Sequence, residues 1–154
     1  MSLLAGYRAR DVPHERIFSS MCTVPHKIAL EAHEYFASTN LGDPGLYPGT
    51  AEIERKLISD LGSLLHGKDI GGYATSGGTE SNLQAVRIAK KLHPTDMPNI
   101  VVPASAHFSF DKTSDILGVE MRMAPYKEGG YSVDTDKMAE LVDKNTIAVA
   151  RVAG

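Results

Sequence analysis

The sequence is poor in the features that mark secreted, membrane-bound or nucleic-acid-binding proteins. Cys22 is the only cysteine among 154 residues, so no internal disulfide can form and a reducing compartment is indicated. The formal net charge of −3 offers no basic surface for nucleic acids or membranes. No apolar run reaches membrane-spanning length, and residues 1–4 lack the pattern of a secretory signal. We therefore expect a cytoplasmic protein without nucleic-acid or membrane partners.

Clustered metal ligands and low-complexity tracts are also missing. No group of His, Cys, Asp or Glu residues has convincing metal-ligand spacing, so no metal site is predicted, and Cys22 has no assigned base as a nucleophile. The prolines and glycines are spread among periodic segments, which argues against a linker or a repeat. The remaining composition is close to that of an average globular protein and indicates no function.

Strand and helix patterns alternate from Ile70 to the end of the chain. The predicted strands cover 70–75, 99–103, 119–123 and 146–152, and the predicted helices cover 79–92, 109–117 and the residues after the capping Asp134. Gly118 is expected to end the second of these helices. This alternation predicts an α/β protein with a parallel sheet covered by helices.

The first part of the chain shows helix and loop patterns instead of alternating strands and helices. Residues 1–24 show weak periodicity, and a helix is predicted from Pro25 to Phe36. The glycines and prolines of residues 40–50 predict a loop without regular structure. Thr50 is the predicted cap of a following helix, whose apolar face carries Ile53, Leu57, Leu61, Leu64 and Leu65.

The segment Thr75–Asn82 (Thr-Ser-Gly-Gly-Thr-Glu-Ser-Asn) joins a predicted strand to a helix start. Backbone N–H groups at a helix start attract anions, and small residues let a phosphate approach them closely. The hydroxyls of Ser76 and Thr79 can add hydrogen bonds. The spacing alone fits equally well a capping turn that binds nothing. The loop contains no lysine, which disfavours a nucleoside-triphosphate site.

Thr75–Asn82 resembles the Thr-Ser-Gly-Gly-Thr-Glu-Ala/Ser-Asn segment of the group II pyridoxal-phosphate-dependent amino-acid decarboxylases. Asn40–Thr50 and Met21–His26 resemble segments of the archaeal L-tyrosine/L-aspartate decarboxylases within that family. Ser105–Lys112 is similar to the Ala-His-x-Ser-x-x-Lys stretch of the wider family. These motifs follow the family's order over essentially the whole chain, which makes the resemblance far more specific than any one of them.

The resemblance implies an aspartate-aminotransferase-like (fold type I) enzyme, represented by its N-terminal portion. Residues 1–50 correspond to an N-terminal arm, a helix and a substrate-entrance loop, and residues 51–154 to an incomplete pyridoxal-phosphate-binding large domain. The implied reaction is decarboxylation of an L-amino acid, tyrosine or aspartate, by a cytoplasmic homodimer.

The resemblance also assigns roles to individual residues. Gly78 and Thr79 match the positions that hold the phosphate of pyridoxal 5′-phosphate, and Gly77 shapes the turn. His107 matches the catalytic histidine that stacks on the cofactor ring. Without the resemblance, His107 is interpreted as a polar residue after a strand whose hydrogen bonds are made to near neighbours. Three residues are assigned to the substrate pocket: His26, Leu46 and Tyr47.

In the family, the Schiff-base lysine and the aspartate beside the pyridine nitrogen lie downstream of the stretch that matches residue 154. His26-Lys27 looks like the family's His-Lys pair but precedes the first core helix, so Lys27 is not assigned that role. This chain alone is therefore expected to be inactive, and cofactor binding is expected of the full-length parent. The end on an apolar strand favours a fragment of a longer enzyme. Two alternatives stay open: a non-catalytic interaction module, and a lyase of the same fold that cleaves carbon–carbon or carbon–sulfur bonds.

Overall fold

The structure is a computed structural model that describes residues 3–18 and 23–152. The chain divides into two compact units, residues 1–73 and 74–154. Met21 and Cys22 lie outside the described residues, so the predictions that involve them stay untested.

The first unit is helical in its described part. It contains α1 (Leu3–Arg8), a 3-10 turn (His14–Arg16), α2 (Lys27–Phe36) and α3 (Pro48–Leu64). Two side chains fold the segment before α3 into local turns: Asn40 Oδ1 accepts the Gly42 N–H at 3.0 Å and Asp43 Oδ1 accepts the Gly45 N–H at 3.0 Å.

The predicted start of α3 was wrong. Thr50 does not cap this helix, because the helix already begins at Pro48 after Tyr47 in the capping position. Proline suits the first turn, since its fixed φ is helical and its missing N–H has no intrahelical partner to lose. The irregular segment is therefore shorter than the predicted loop at residues 40–50.

The second unit is an α/β layer structure. Its elements in chain order are α4 (Gly78–Leu92), β1 (Asn99–Pro103), α5 (Ser109–Leu117), β2 (Glu120–Ala124), α6 (Thr135–Glu140) and β3 (Thr146–Val149). β1 lies between β2 and β3 and pairs in parallel with both. The prediction of a parallel α/β arrangement is confirmed.

The predicted strand at residues 70–75 was wrong, because the structure assigns no strand there and the sheet is formed by β1, β2 and β3. Gly71 and Gly72 have no side chains to pack on a sheet, and glycine is unfavourable inside strands. The last strand also ends at Val149 rather than at Val152.

The core of the second unit surrounds β1, all of whose residues are buried. Val86 from α4, Val119 before β2 and Ile147 from β3 pack with Ile100 and Val102 of the central strand. Phe110 and Leu117 from α5 lie partly buried against this cluster. A central parallel strand covered on both faces needs a continuous apolar run, and Ile100–Val102 supplies it.

Candidate cofactor-binding site

The loop before α4 places backbone donors at a helix start. Gly77 is the N-cap, and the first α-helical hydrogen bond runs from the Ser81 N–H to the Gly77 carbonyl at 3.1 Å. The N–H groups of Gly78 and Thr79 precede this bond, so the helix itself provides them with no acceptor. A β-carbon added at Gly77 or Gly78 would meet no atom within 4 Å. The loop therefore leaves open the space beside these donors that an anion would need.

Hydroxyl groups hold this loop in shape. Thr75 Oγ1 lies 2.6 Å from Ser81 Oγ and donates to the Gly77 carbonyl at 3.1 Å. These bonds connect the residue that enters the loop with the first turn of α4, and they fix the path of the two glycines between them.

Ser76 is engaged within the protein. Glu80 Oε2 accepts both the Ser76 N–H at 2.9 Å and the Ser76 hydroxyl at 2.6 Å. These two hydrogen bonds lower the pKa of the Glu80 carboxyl below its ordinary value, and the bond from the Ser76 hydroxyl has the larger effect. The expectation that the Ser76 hydroxyl adds a bond to a phosphate is not met in this geometry, since that hydroxyl donates to Glu80. The role of Gly77, Gly78 and Thr79 toward a phosphate stays a prediction.

His107 follows the carboxyl end of β1 and is exposed. Its Nδ1 accepts the Ser109 N–H at 3.1 Å, so the neutral ring carries its proton on Nε2. The ring lies 4.2 Å from the Phe108 ring, centroid to centroid, at an interplanar angle of 35°. Ligands of open α/β sheets bind beyond the carboxyl ends of the strands, and His107 lies at such an end.

A partly buried hydrogen bond links the loop motif to the histidine motif. Asn82 Nδ2 donates to Ser109 Oγ at 2.8 Å, and Ser109 is 0% exposed. This hydrogen bond joins the N-terminal half of α4 to the first residue of α5, so Gly77–Thr79 and His107 belong to the same end of the second unit. Neither this contact nor the Ser76–Glu80 pair was predicted from the sequence.

The three predicted substrate residues belong to the first unit. His26 caps α2, since its Nδ1 accepts the Ile28 N–H at 3.3 Å. Leu46 is 70% exposed, and the adjacent Tyr47 is half-buried in the capping position of α3. Their role toward a substrate stays a prediction.

Two negative findings apply to residues 3–18 and 23–152. Among these residues no helix has the length and apolarity that a membrane crossing requires. The same residues contain no group of three or more His, Cys, Asp or Glu side chains placed to hold a metal ion.

Comparison with solved structures gives the class of fold first. The Lactobacillus brevis glutamate decarboxylase superposes with a TM-score of 0.77 at 24% identity over 95% of this chain and 37% of its own. The Burkholderia pseudomallei sphingosine-1-phosphate lyase gives a TM-score of 0.70 at 29% identity over 79% of this chain and 31% of its own. The chain has the fold of part of an aspartate-aminotransferase-like, fold type I pyridoxal-phosphate enzyme, as the sequence predicted.

Sequence comparison then gives the family, although no protein-family model matches the chain. A probable L-tyrosine/L-aspartate decarboxylase of Methanocorpusculum labreanum is 65% identical over 100% of this chain. That of Methanoregula boonei is 55% identical over 99%, and a probable L-aspartate decarboxylase of Archaeoglobus fulgidus is 49% identical over 98%. Over nearly its whole length, the chain matches this archaeal decarboxylase family in sequence. It spans about two fifths of the length of these relatives (42%, 42% and 41%).

Proposed function

We propose that this chain supplies part of the active site of a pyridoxal-phosphate-dependent decarboxylase acting on L-tyrosine or L-aspartate. The observation that carries the proposal is the 65% identity, over the whole chain, to a protein named as a probable L-tyrosine/L-aspartate decarboxylase. The open loop at Gly77–Thr79 and the exposed ring of His107 at the same end of the second unit support it.

In this proposal, the N–H groups of Gly78 and Thr79 and the Thr79 hydroxyl hold the cofactor phosphate, and Gly77 shapes the turn. The bound cofactor supplies an electron sink for the bond to the α-carboxylate. His107 would stack on the ring of the bound cofactor and would offer Nε2–H as a donor, since Nδ1 is engaged by Ser109. No lysine of this chain is assigned as the Schiff-base lysine. We propose that this lysine belongs to an enzyme of the relatives' length, and that this enzyme is a cytoplasmic homodimer.

The first unit has a proposed part as well. We assign residues 1–50 to the arm and substrate entrance and residues 51–154 to the large domain. His26, Leu46 and Tyr47 are the proposed substrate contacts. The half-buried ring of Tyr47 directly before α3 and the 70% exposed side chain of Leu46 offer apolar surface to an aromatic substrate.

A second candidate function is carbon–carbon bond cleavage by the same cofactor. It is favoured by the 29% identity and TM-score of 0.70 to the sphingosine-1-phosphate lyase. A non-catalytic interaction module is the third candidate.

The phosphate assignment is tested on the chain itself with ¹⁵N-labelled protein. Addition of inorganic phosphate or pyridoxal phosphate is expected to shift the amide signals of Gly78 and Thr79 before all others. Thr79→Ala should weaken this binding about tenfold, the effect of losing one hydrogen bond to a charged group. Thr135→Ala, in the first turn of α6, is the matched control and should bind as the parent does. Shifts elsewhere, with none at residues 77–79, would refute the assignment.

The reaction is tested by joining this chain to the remaining length of the Methanocorpusculum labreanum relative. The joined protein is expected to release CO₂ from L-tyrosine or L-aspartate. An aldehyde product from a phosphorylated amino alcohol, without CO₂ release, would favour the lyase. Absence of both activities, with phosphate bound at residues 77–79, would favour the interaction module.

A further inference from the structure

Asn82 makes a contact that its place on a helix does not require. It lies in α4 five residues after the N-cap Gly77, beyond the positions that cap a helix. Its amide nevertheless reaches across to the first residue of α5, where Nδ2 donates to Ser109 Oγ at 2.8 Å. The two residues are 27 positions apart in sequence, so the contact joins two separate helix starts.

Burial makes this contact specific. Ser109 is 0% exposed, and Asn82 is partly buried. A buried hydroxyl or amide without a partner is costly, so each of these side chains depends on the other for its place. The start of α5 is thereby held at one position against α4.

The same residue of α5 controls the ring of His107. The Ser109 N–H donates to His107 Nδ1 at 3.1 Å, while its hydroxyl receives the Asn82 amide. An imidazole whose Nδ1 accepts a hydrogen bond has its proton on Nε2 when neutral. The orientation and tautomer of the His107 ring thus follow from where Ser109 is held.

We propose that Asn82 is a positioning residue that acts through Ser109 to hold the His107 ring in its Nε2–H form. For the cofactor this rests on the function proposed above. The consequence is that the helix carrying the phosphate loop also sets the donor that the stacking ring presents. The phosphate end and the ring end of a bound cofactor are then aligned by one side chain of α4.

The test measures the ring nitrogens of His107 by ¹⁵N NMR in the free chain at neutral pH. The parent is expected to show separate signals for an unprotonated Nδ1 and a protonated Nε2. Asn82→Leu keeps the size of the side chain but removes the donor, and the two signals should move toward each other as the tautomers mix. Asn82→Asp should restore the separation, because its carboxylate accepts the Ser109 hydroxyl proton.

The chain offers two matched controls. Gln84→Leu changes a neighbouring amide of α4 that pairs with Arg87 at 3.2 Å, and it should leave the His107 signals unchanged. His26 is an internal reference, because its Nδ1 also accepts a backbone N–H, that of Ile28. Its signals should stay constant in every variant.

Unchanged His107 signals in a folded Asn82→Leu protein would overturn the proposal. Should that variant unfold, Ser109→Ala takes its place and is judged by the same two signals, since it removes the hydroxyl and keeps the backbone donor. The measurement needs no cofactor. Its failure therefore leaves the phosphate assignment standing, and a failure of phosphate binding at residues 77–79 leaves the tautomer result interpretable.

Discussion

The two units differ in where their apolar side chains lie. In the second unit, β1 is fully buried and gathers Val86, Val119 and Ile147 around it. Within residues 3–18 and 23–73 of the first unit, Gly62 is the only buried residue. Four of the apolar side chains along α3 stay largely exposed, from 46% at Leu57 to 75% at Leu64, whereas Ile58 is partly buried.

The two units also differ in the sequence distance between the residues that contact one another. The first unit is shaped by short-range devices, such as the His26 cap and the side-chain turns at Asn40 and Asp43. The second unit joins segments 20 to 50 residues apart through its sheet and through Asn82. Burial of apolar area is the main stabilising contribution in folding, so we expect most of the described chain's stability to reside in the second unit.

The largest expected effect is on the core of the second unit. Ile100→Ala should lower its free energy of unfolding by about 2–5 kcal/mol, because it removes a buried side chain and leaves a cavity in the central strand. Leu64→Ala in α3 should cost less than about 0.5 kcal/mol, since that side chain is 75% exposed. Urea unfolding followed by circular dichroism measures both changes.

Equal losses in these two variants would contradict the comparison. They would show that Leu64 is packed in solution, and that the first unit has a core comparable to that of the second.

The next effect is the loss of stability of the second unit in acid, which we expect from a polar cluster at the start of β1. Asp143 accepts hydrogen bonds from the Asn99 side chain at 2.9 Å, from Arg122 at 2.8 Å and from the Asn145 N–H at 2.8 Å. These hydrogen bonds hold the pKa of the Asp143 carboxyl well below its usual range, and the bond from Asn99 has the largest effect.

The sign follows from the lowered pKa. Asp143 stabilises the folded unit fully above the ordinary carboxyl pKa of about 4, and this contribution is lost as the pH falls further. The urea midpoint of the second unit should therefore drop between pH 5 and pH 3, by less than the Ile100→Ala effect. Asp143→Asn should flatten that dependence, and Asp136→Asn on the surface of α6 should not. A parallel decline in all three proteins would rule out this role of Asp143.

Much of the second unit could be predicted from the sequence because its signals are local. β1 and α5 were predicted with the bounds that the structure gives them. Gly118 ends α5 with a φ of 58°, and Asp134 accepts the N–H groups of Asp136 and Lys137 as the cap of α6. Each of these outcomes depends on a residue's own conformational preference and on its near neighbours.

The failures depended on partners distant in sequence or on competing local preferences. Residues 70–75 have an apolar pattern, but a strand also needs a neighbour to pair with, which periodicity cannot show. Pro48 was taken as part of a loop although proline equally suits a helix start. At the site, Thr75–Asn82 and His107 were found as motifs, whereas the Asn82–Ser109 contact links residues that only the fold brings together.

The smallest expected effect tests a close contact within the described first unit, the one between Ile70 and Gly62. Ile70 lies directly over Gly62 of α3, and a β-carbon at residue 62 would overlap its side chain. Replacing an interior helical glycine with alanine ordinarily stabilises a helix by about 1 kcal/mol. Gly62→Ala should lose that gain because Ile70 must move, so amide exchange in residues 65–72 should become faster. Gly49→Ala in the same helix meets open space and should leave exchange there unchanged. Unchanged exchange in both variants would mean that Ile70 is not held over Gly62. The contrast between a unit formed by local structure and a unit formed around a core would then be sharper than the structure shows it.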